Sequence, residues 1–238
     1  MNSAASTPVL SVKNLEAWYG ESHVLHGITF DVRPGEVVTL LGRNGAGKTS
    51  TLKSVMGIIG KRTGSIEFEG KDIARMSSDK IARLGVAFCP EERGIFASLD
   101  VKENLLLPPI IRSGGMSLDQ IFELFPNLKE RLGSQGTKLS GGEQQMLAIA
   151  RILRTGARFL MLDEPTEGLA PVIIQQIGHT IARLKSEGFT ILLVEQNFRF
   201  ASTVADRFYI VEHGKIIDAF ANSEIKANME KLHTYLGV

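Results

Sequence analysis

Hydrophobic and polar residues alternate with period two in the first part of the chain, as they do in half-buried strands. This pattern predicts strands at Leu10–Leu15 and Ile28–Val32, followed by a turn at Pro34-Gly35. The next segment, Glu36–Leu41, is apolar at successive positions and begins with β-branched residues. Such a run is typical of a strand that is buried on both faces in a parallel sheet.

Helical spacing of apolar residues follows a glycine-rich loop and predicts a helix over Ser50–Ile59, with Gly60 as its stop. Further strands are predicted by alternation or by short apolar runs, at Gly64–Ile73, Gly85–Cys89, Arg158–Leu162 and Phe189–Val194. A helix predicted over Pro171–Glu187 separates the last two strands. Strands that alternate with helices predict an α/β fold.

The pattern changes to helical periodicity in the middle of the chain. It predicts helices over Val101–Leu107, Leu118–Phe125 and Gln144–Leu153, with no convincing strand among them. We interpret residues 91–156 as a helical subdomain inserted into an α/β core made of residues 1–90 and 157–238, all within one domain. The last part of the chain predicts a hairpin, Arg207–Val211 with Lys215–Ala219, and a short helix capped near Ser223.

Composition and charge narrow the classes of function. The 238 residues are 43% hydrophobic and 22% charged, as in soluble globular proteins, and the net charge of +1 gives no basic field that would indicate a nucleic-acid partner. No run approaches the ~18–20 apolar residues of a membrane span, and the first ten residues lack the features of a signal peptide. Together with the single cysteine, Cys89, these features predict a cytoplasmic chain.

The strongest local signal follows the predicted strand at 36–41. Residues 42–49 match the phosphate-loop pattern G-x-x-x-x-G-K-[ST], between a strand and a helix, which favours nucleotide binding over a simple chain reversal. Glycines let successive backbone N–H groups surround phosphate oxygens, Lys48 adds charge for the outer phosphates, and Thr49 offers a hydroxyl to Mg²⁺. The candidate nucleotide-binding residues are Gly42, Arg43, Asn44, Gly45, Ala46, Gly47, Lys48, Thr49 and Ser50.

A pair of carboxylates, Asp163 and Glu164, follows the predicted buried strand at 158–162. Acidic side chains at the carboxyl end of a parallel strand open into the crevice where α/β sheets bind ligands. Asp163 is a candidate Mg²⁺ ligand with Thr49, and Glu164 is a candidate general base for an attacking water. Alone, the pair would more often be a solvated strand end, but with the phosphate loop it indicates nucleotide hydrolysis.

A third motif, Leu-Ser-Gly-Gly-Glu-Gln-Gln at 139–145, precedes a predicted helix that Ser140 is placed to cap. The phosphate loop, the helical insertion, this motif and the acidic pair follow one another in the order found in the ATPases of the ABC transporter family, which the sequence resembles over nearly the whole chain. The resemblance implies a P-loop NTPase core with an N-terminal antiparallel β subdomain, ATP and Mg²⁺ as ligands, and two cassettes closing head to tail. The resemblance also implies that one segment, called here the signature segment, contacts the nucleotide bound by the partner cassette. This segment consists of Leu139, Ser140, Gly141, Gly142 and Glu143.

The resemblance also assigns single residues. Tyr19 falls where the family stacks an aromatic ring on adenine, and Glu91 falls where most members have glutamine. Gln196 occupies the position of the family's switch histidine, a catalytic position beside Lys48 and Glu164, and Ala170 replaces an aspartate. Because glutamine cannot carry the proton or charge of a histidine, we expect slow hydrolysis by the isolated chain.

Three stretches, Pro90–Arg93, Glu164–Pro171 and Leu193–Asn197, resemble an ATPase subunit of branched-chain amino acid importers or related importers of urea or short amides. This implies a second ATPase subunit, identical or different, two membrane permease subunits, and indirectly an external solute-binding protein, on the inner face of the cell membrane. Two alternatives stay open. One is a soluble ABC protein of DNA repair or translation, and the other is a regulatory module that binds ATP without turnover.

Apolar residues crowd into the segment from Arg93 to Ile111, more than a short insertion buries by itself. We interpret this docking segment as the surface that contacts a membrane partner, the alternative being that it only packs against the core. Cys89 is interpreted as a buried structural thiol. The histidines show no metal spacing and are given no functional role; they are His23, His26, His179, His213 and His233.

Overall fold

The computed structural model describes residues 7–237, and its strands and helices give the α/β architecture that the sequence predicts. The strands in chain order are β1 (Leu10–Tyr19), β2 (Ser22–Val32), β3 (Val37–Leu41), β4 (Lys61–Phe68), β5 (Lys71–Asp72), β6 (Val86–Cys89), β7 (Phe159–Asp163), β8 (Thr190–Glu195), β9 (Arg207–Glu212) and β10 (Lys215–Ala221). The helices are α1 (Lys48–Val55), α2 (Ser78–Arg83), α3 (Val101–Leu106), α4 (Leu118–Leu124), α5 (Pro126–Glu130), α6 (Gly141–Leu153), α7 (Pro171–Ser186), α8 (Phe198–Val204) and α9 (Ile225–Leu236).

Two sheets contain these strands. One is antiparallel, in the order β2-β1-β4-β5. The other has the order β10-β9-β3-β8-β7-β6, in which β10 runs antiparallel to β9 and the remaining neighbours are parallel. Helices α3 to α6 lie between β6 and β7 in the chain, so the parallel sheet is completed only after this helical stretch.

The central strands are apolar on both faces because each face of the sheet packs into a separate hydrophobic core. On β3, Val37 and Leu41 belong to the core shared with α6 and α7, whereas Val38 and Leu40 belong to the core shared with α1 and the antiparallel sheet. The strands β7 and β8 divide in the same way. This double burial explains why the hydrophobic runs predicted as buried strands lack period-two polarity.

Several predicted boundaries are wrong for local reasons. Helix α1 ends at Val55 rather than Ile59, because Gly57 adopts a left-handed φ of 71° and terminates it before Gly60. The strand predicted over Gly64–Ile73 is interrupted by a turn at Glu69, which has a positive φ of 49°. The cap predicted at Ser223 is wrong, since α9 begins after Glu224, without a side-chain cap.

The sequence pattern does not predict the short helices α2, α5 and α8, and α2 and α5 each bury a single residue, which leaves no apolar period to recognise. Cys89 is buried as predicted, and burial raises the pKa of its thiol to about 12. No helix among residues 7–237 combines the length and the apolar composition that a membrane crossing requires.

The parallel strands bring three segments of the chain to one edge of the sheet. In register, Leu41 at the end of β3 pairs with Glu195 at the end of β8, and Asp163 at the end of β7 pairs with Val194. The loops that follow these strands therefore meet at the carboxyl edge, where α/β sheets bind their ligands.

Candidate active site

The phosphate loop, residues 42–49, connects β3 to α1 in a conformation that depends on its glycines. A Cβ atom on Gly42 would lie 2.3 Å from the carbonyl oxygen of Val211, so no side chain fits there. Gly45 and Gly47 have φ values of 78° and 106°, which residues with a side chain rarely adopt. The loop is therefore held close to the β9–β10 hairpin, and the Gly214 N–H donates a hydrogen bond to its Ala46 carbonyl (2.8 Å).

Lys48 begins helix α1 and is almost completely buried, with 3% of its surface exposed. Its ammonium donates hydrogen bonds to the carbonyl oxygens of Gly42 (2.9 Å) and Arg43 (3.1 Å). It also forms an ion pair with Glu164, with 3.0 Å between Nζ and Oε1. The loop thus curls around its own lysine, and the charge lies beside the N–H groups that surround a phosphate.

Thr49 and Asp163 meet across the carboxyl edge of the sheet. The Thr49 hydroxyl donates to Asp163 Oδ1 at 3.0 Å, while Asp163 Oδ2 and Glu164 Oε2 are buried and have no hydrogen-bond partner among the described residues. Burial raises the pKa of Asp163 to about 6, because a desolvated carboxylate lacks compensating charge. A hydroxyl and unpartnered carboxylate oxygens are the hard oxygen ligands that Mg²⁺ prefers, so the residues fit this cation.

Glu164 is held in a left-handed conformation, with a φ of 46°. Its backbone N–H donates to the carbonyl of Val194 on β8 (3.0 Å), and its carbonyl accepts from the N–H of Glu167 (3.2 Å). A hydrogen bond between the carboxyl groups of Glu167 and Glu164 raises the pKa of Glu167, with burial and repulsion adding to the effect. A non-glycine residue with positive φ is strained, and such strain is often found at functional sites.

A cavity of about 530 Å³ opens in front of the phosphate loop. The candidate residues that line it are Asn44, Gly45, Gly47, Lys48, Thr49, Ser50, Glu91 and Glu164. Gln196 lies in a neighbouring pocket with Glu164, Thr166 and Glu167, and Arg43 lies in pockets beside α9. The structure therefore brings Glu91 into the cavity and places Gln196 next to the turn that carries Glu164.

Tyr19 lies at the end of β1, is about half exposed and does not line this cavity. Its role in stacking on adenine stays a prediction.

Histidines line the cavity where sequence reasoning gave them no role. His23, His26 and His213 lie on its wall, and His23 stacks on Trp18 with 4.3 Å between the ring centroids. His23 and His26 lie on β2 with 4.2 Å between their ring centroids, and the β9–β10 turn brings His213 to them, since the Gly214 carbonyl accepts from the His26 N–H (2.8 Å). Spacing along the chain does not reveal this contact. Among residues 7–237, no group of three or more histidine, cysteine, aspartate or glutamate side chains is arranged to hold a metal ion.

The signature segment, residues 139–143, lies outside this cavity. Ser140 is exposed and caps α6, with a Ser140 N–H bond to Glu143 Oε2 (2.8 Å) and a Glu143 N–H bond to the Ser140 hydroxyl (3.3 Å). A Cβ atom on Gly142 would lie 2.9 Å from Ile173 of α7, so only glycine fits at this contact without a shift. The chain's own signature segment is not part of its phosphate site.

Comparison with known proteins identifies the family of the chain. A family described as ABC transporter matches residues 25–167. The chain is 41% identical to the high-affinity branched-chain amino acid transport ATP-binding protein BraG of Pseudomonas aeruginosa, covering 96% of this chain and 100% of that protein. It is 35% identical to the lipopolysaccharide export system ATP-binding protein LptB of Escherichia coli K12, covering 96% and 97%.

The fold is also that of a solved ATP-binding cassette. A solved nucleotide-free ATP-binding cassette from an ABC transporter superposes with a TM-score of 0.83 at 24% sequence identity, covering 98% of this chain and 99% of that one. Fold, motif order and full-length similarity therefore coincide, and the chain belongs to the ABC transporter family as an ATP-binding subunit, an ATPase that energises transport.

Proposed function

We propose that the protein hydrolyses ATP in the cavity before the phosphate loop and thereby energises the import of branched-chain amino acids. The choice of branched-chain amino acids as the solute is supported by the 41% sequence identity to BraG over that protein's whole length, compared with 35% identity to LptB. The hydrolytic role is supported by the geometry around Lys48, Thr49, Asp163 and Glu164.

The side chains of the cavity divide the work of hydrolysis. The N–H groups of the phosphate loop and Lys48 hold the phosphates, and the Lys48 ammonium exchanges its carbonyl partners for phosphate oxygens. Thr49 and Asp163 hold Mg²⁺, which neutralises phosphate charge when it is bound. Glu164 orients the attacking water and accepts its proton at the carboxylate.

A second ATPase subunit is part of the proposal. Since Ser140 is exposed and the signature segment does not line the chain's own cavity, we infer that Ser140 and the adjacent helix end are available to another subunit. Its helix N-terminus carries the positive end of the α6 dipole, which favours the phosphates of a nucleotide bound by that partner. The partner would supply the equivalent segment to this chain's cavity.

The membrane partner is assigned to the docking segment, residues 93–111. Leu105 is fully buried there, whereas Phe96, Leu106, Leu107 and Ile110 remain about half or more exposed. An apolar groove beside them is lined by Arg93, Pro108 and Arg151, among others. An apolar patch with charged borders suits a helix of a permease subunit, which would place the chain on the inner face of the membrane.

Reconstitution tests the solute directly. The chain would be purified with the membrane subunits that accompany it and placed in proteoliposomes with their solute-binding protein. We expect ATP-dependent uptake of labelled leucine, isoleucine or valine that disappears with Glu164→Gln. Uptake of urea or short amides in their place would contradict the branched-chain assignment but keep the importer.

A second candidate function is export, which the similarity to LptB favours. Outward movement of a lipid-linked substrate, with no uptake of amino acids in the same vesicles, would favour this candidate over import.

A further inference from the structure

Glu195, the last residue of β8, is a buried carboxyl group that the proposed hydrolysis does not use. Only 1% of its surface is exposed, and both of its carboxyl oxygens accept hydrogen bonds. Oε1 accepts from the hydroxyl of Thr166 at 2.8 Å, and Oε2 accepts from the backbone N–H of Asn197 at 3.2 Å. Its carbonyl oxygen accepts from the N–H of Gly42, the first residue of the phosphate loop (3.3 Å).

The bond to Thr166 anchors the turn that carries Glu164. Thr166 stands two residues after Glu164 and is buried, and its carbonyl accepts from the N–H of Leu169 (3.3 Å). Because Glu164 has a left-handed φ, the turn needs contacts beyond its own backbone to stay in this conformation. The Thr166 hydroxyl supplies one of them, and Glu195 is its partner on the neighbouring strand.

The bond to Asn197 fixes the segment that carries Gln196. This hydrogen bond joins the side chain of Glu195 to the backbone N–H of Asn197, so its two ends lie on either side of Gln196. Asn197 in turn caps α8, with its Oδ1 accepting from the Phe200 N–H at 3.1 Å. The backbone of Gln196 is therefore held between the end of β8 and the first turn of α8.

We propose that Glu195 is a positioning residue for ATP hydrolysis, which holds the turn of Glu164 and the backbone of Gln196 in one fixed arrangement. This inference rests on the proposed hydrolytic role of Glu164. A buried carboxyl group is costly, and burial raises the pKa of Glu195 to about 7. The cost is offset by two hydrogen bonds that join separate loops, and displacement of a reacting group by about 1 Å can slow an enzyme about 100-fold.

Three variants of the full-length chain test this inference. Glu195→Leu removes both side-chain bonds at similar volume, Thr166→Val removes only the bond to the Glu164 turn, and Glu195→Gln keeps one donor and one acceptor in place of the carboxylate. The matched control is Thr180→Val, which removes a buried hydroxyl that bonds to Gln176 within α7. For each variant, kcat at saturating Mg-ATP, the Kd for Mg-ATP and the melting temperature would be measured.

We expect Glu195→Leu to lower kcat more than tenfold while the Kd changes less than threefold, because the Gly42 bond comes from the backbone of residue 195. Thr166→Val should lower kcat less, and Glu195→Gln should recover most of the rate. A fourth variant, which combines Glu195→Leu with Thr166→Val, should be no slower than Glu195→Leu alone, because both changes remove the same hydrogen bond. An unchanged kcat in Thr166→Val and in folded Glu195→Leu would overturn the inference, as would parallel losses of kcat, affinity and melting temperature. If Glu195→Leu does not fold, Thr166→Val decides.

The result is separable from the proposed hydrolytic site. If Glu164→Gln hydrolyses ATP normally, the role of Glu164 fails and the positioning role fails with it. If Glu164→Gln is inactive and the Glu195 and Thr166 variants are fully active, only the positioning role fails.

Discussion

Two glycine-rich segments of this chain lead into helices, and the structure treats them in opposite ways. In the phosphate loop, the Lys48 side chain is buried and is held by loop carbonyls and by Glu164 from another strand. In the signature segment, Ser140 is exposed and its cap is closed by Glu143 of its own helix. The first is assembled from several strands of one chain, whereas the cap of the second is closed within its own helix and leaves Ser140 exposed.

The acidic groups near the two segments show the same contrast. Behind the phosphate loop, burial raises the pKa of Asp163 to about 6 and that of Glu195 to about 7. Burial also opposes ionisation of Glu143, but its hydrogen bonds with Ser140 and its contact with Arg131 outweigh this effect and lower its pKa. Asp163 thus keeps an unpartnered carboxylate oxygen, whereas the carboxyl groups of Glu195 and Glu143 already accept hydrogen bonds.

The largest effects on hydrolysis and nucleotide binding are expected from substitutions in the phosphate site itself. Glu164→Gln should lower kcat at least about 100-fold and keep Mg-ATP binding, because the amide cannot accept the proton of water. Lys48→Ala should lose nucleotide binding, since it removes the buried charge beside the phosphates. Equilibrium binding and phosphate release on the purified variants measure both effects.

Surface changes provide the controls for these two variants. Lys71→Ala and Glu187→Gln alter exposed side chains that do not line the cavity and should leave ATP binding and hydrolysis unchanged. Unimpaired hydrolysis by Glu164→Gln would remove Glu164 from the proposed site.

The second effect tests the outward role of the signature segment. In complexes of this chain with its proposed ATPase partner, Ser140→Arg should lower total hydrolysis about tenfold or more, because a bulky side chain blocks the helix end that we propose to face the partner's nucleotide. Gln196→Ala should cost less, about threefold. Steady-state phosphate release from mixed complexes measures both.

Ser117→Arg is the matched control, since Ser117 closes the same kind of capping box on α4 with Gln120. It loses a cap of similar strength away from the signature. A larger loss with Gln196→Ala than with Ser140→Arg would contradict the division between the two segments.

Both glycine-rich segments were recognisable from sequence, because their chemistry is local. A loop whose backbone must surround phosphates needs glycines at fixed intervals, and a capped helix needs serine and glutamate three residues apart. The fold followed from strands and helices long enough to show their period. Asp163 and Glu164 were recognisable because they follow a buried apolar run that ends at a sheet edge.

The rest of the site depends on tertiary neighbours. His23 and His26 are neighbours on β2, but His213 reaches them only through the β9–β10 turn, where the Gly214 carbonyl accepts from the His26 N–H, so the separation along the chain carries no signal of this contact. Glu195 has the same local pattern as any strand-end carboxylate, and only the structure shows that Thr166 and Asn197 bond to it. Sequence predicts the residues whose chemistry is local, and it does not predict those that position them.

A third effect concerns the docking segment, on the same stretch of helices that carries the signature. Phe96→Asp should weaken co-purification with the permease subunits about tenfold, because it places a charge in an exposed apolar patch. ATP binding and the melting temperature should remain unchanged, since the ring is 47% exposed.

Ile217→Asp is the control for the docking variant, because Ile217 is an exposed apolar residue on β10, outside the docking segment. Collapse of stability in Phe96→Asp, or an unaffected complex, would contradict docking at residues 93–111.

The smallest effect uses pH to separate the two segments. The pKa of Glu195 is raised on folding, so the native state holds its proton between pH ~4.5 and ~7, and the folded state loses stability as the pH rises through this window. Glu195→Gln removes this titration and keeps a donor and an acceptor. Relative to the wild type, its free energy of unfolding should therefore increase from pH 5 to pH 8, by about 1–2 kcal/mol.

For Glu143→Gln we expect the opposite sign of the pH dependence of the free energy of unfolding. The pKa of Glu143 is lowered on folding, so its ionised form stabilises the native state above pH ~4.5, and this contribution disappears as the pH falls through the lowered value. Glu143→Gln keeps a capping-box side chain but loses the charge near the α6 N-terminus and Arg131. It should cost about 0.5 kcal/mol at pH 7 and nothing near pH 3, as measured by urea unfolding. Relative to the wild type, Glu143→Gln should therefore lose stability as the pH rises from 3 to about 5 and change little from pH 5 to pH 8. A gain of stability with rising pH, as expected for Glu195→Gln, would show that the carboxyl groups of the two segments do not differ electrostatically in the way their structures indicate.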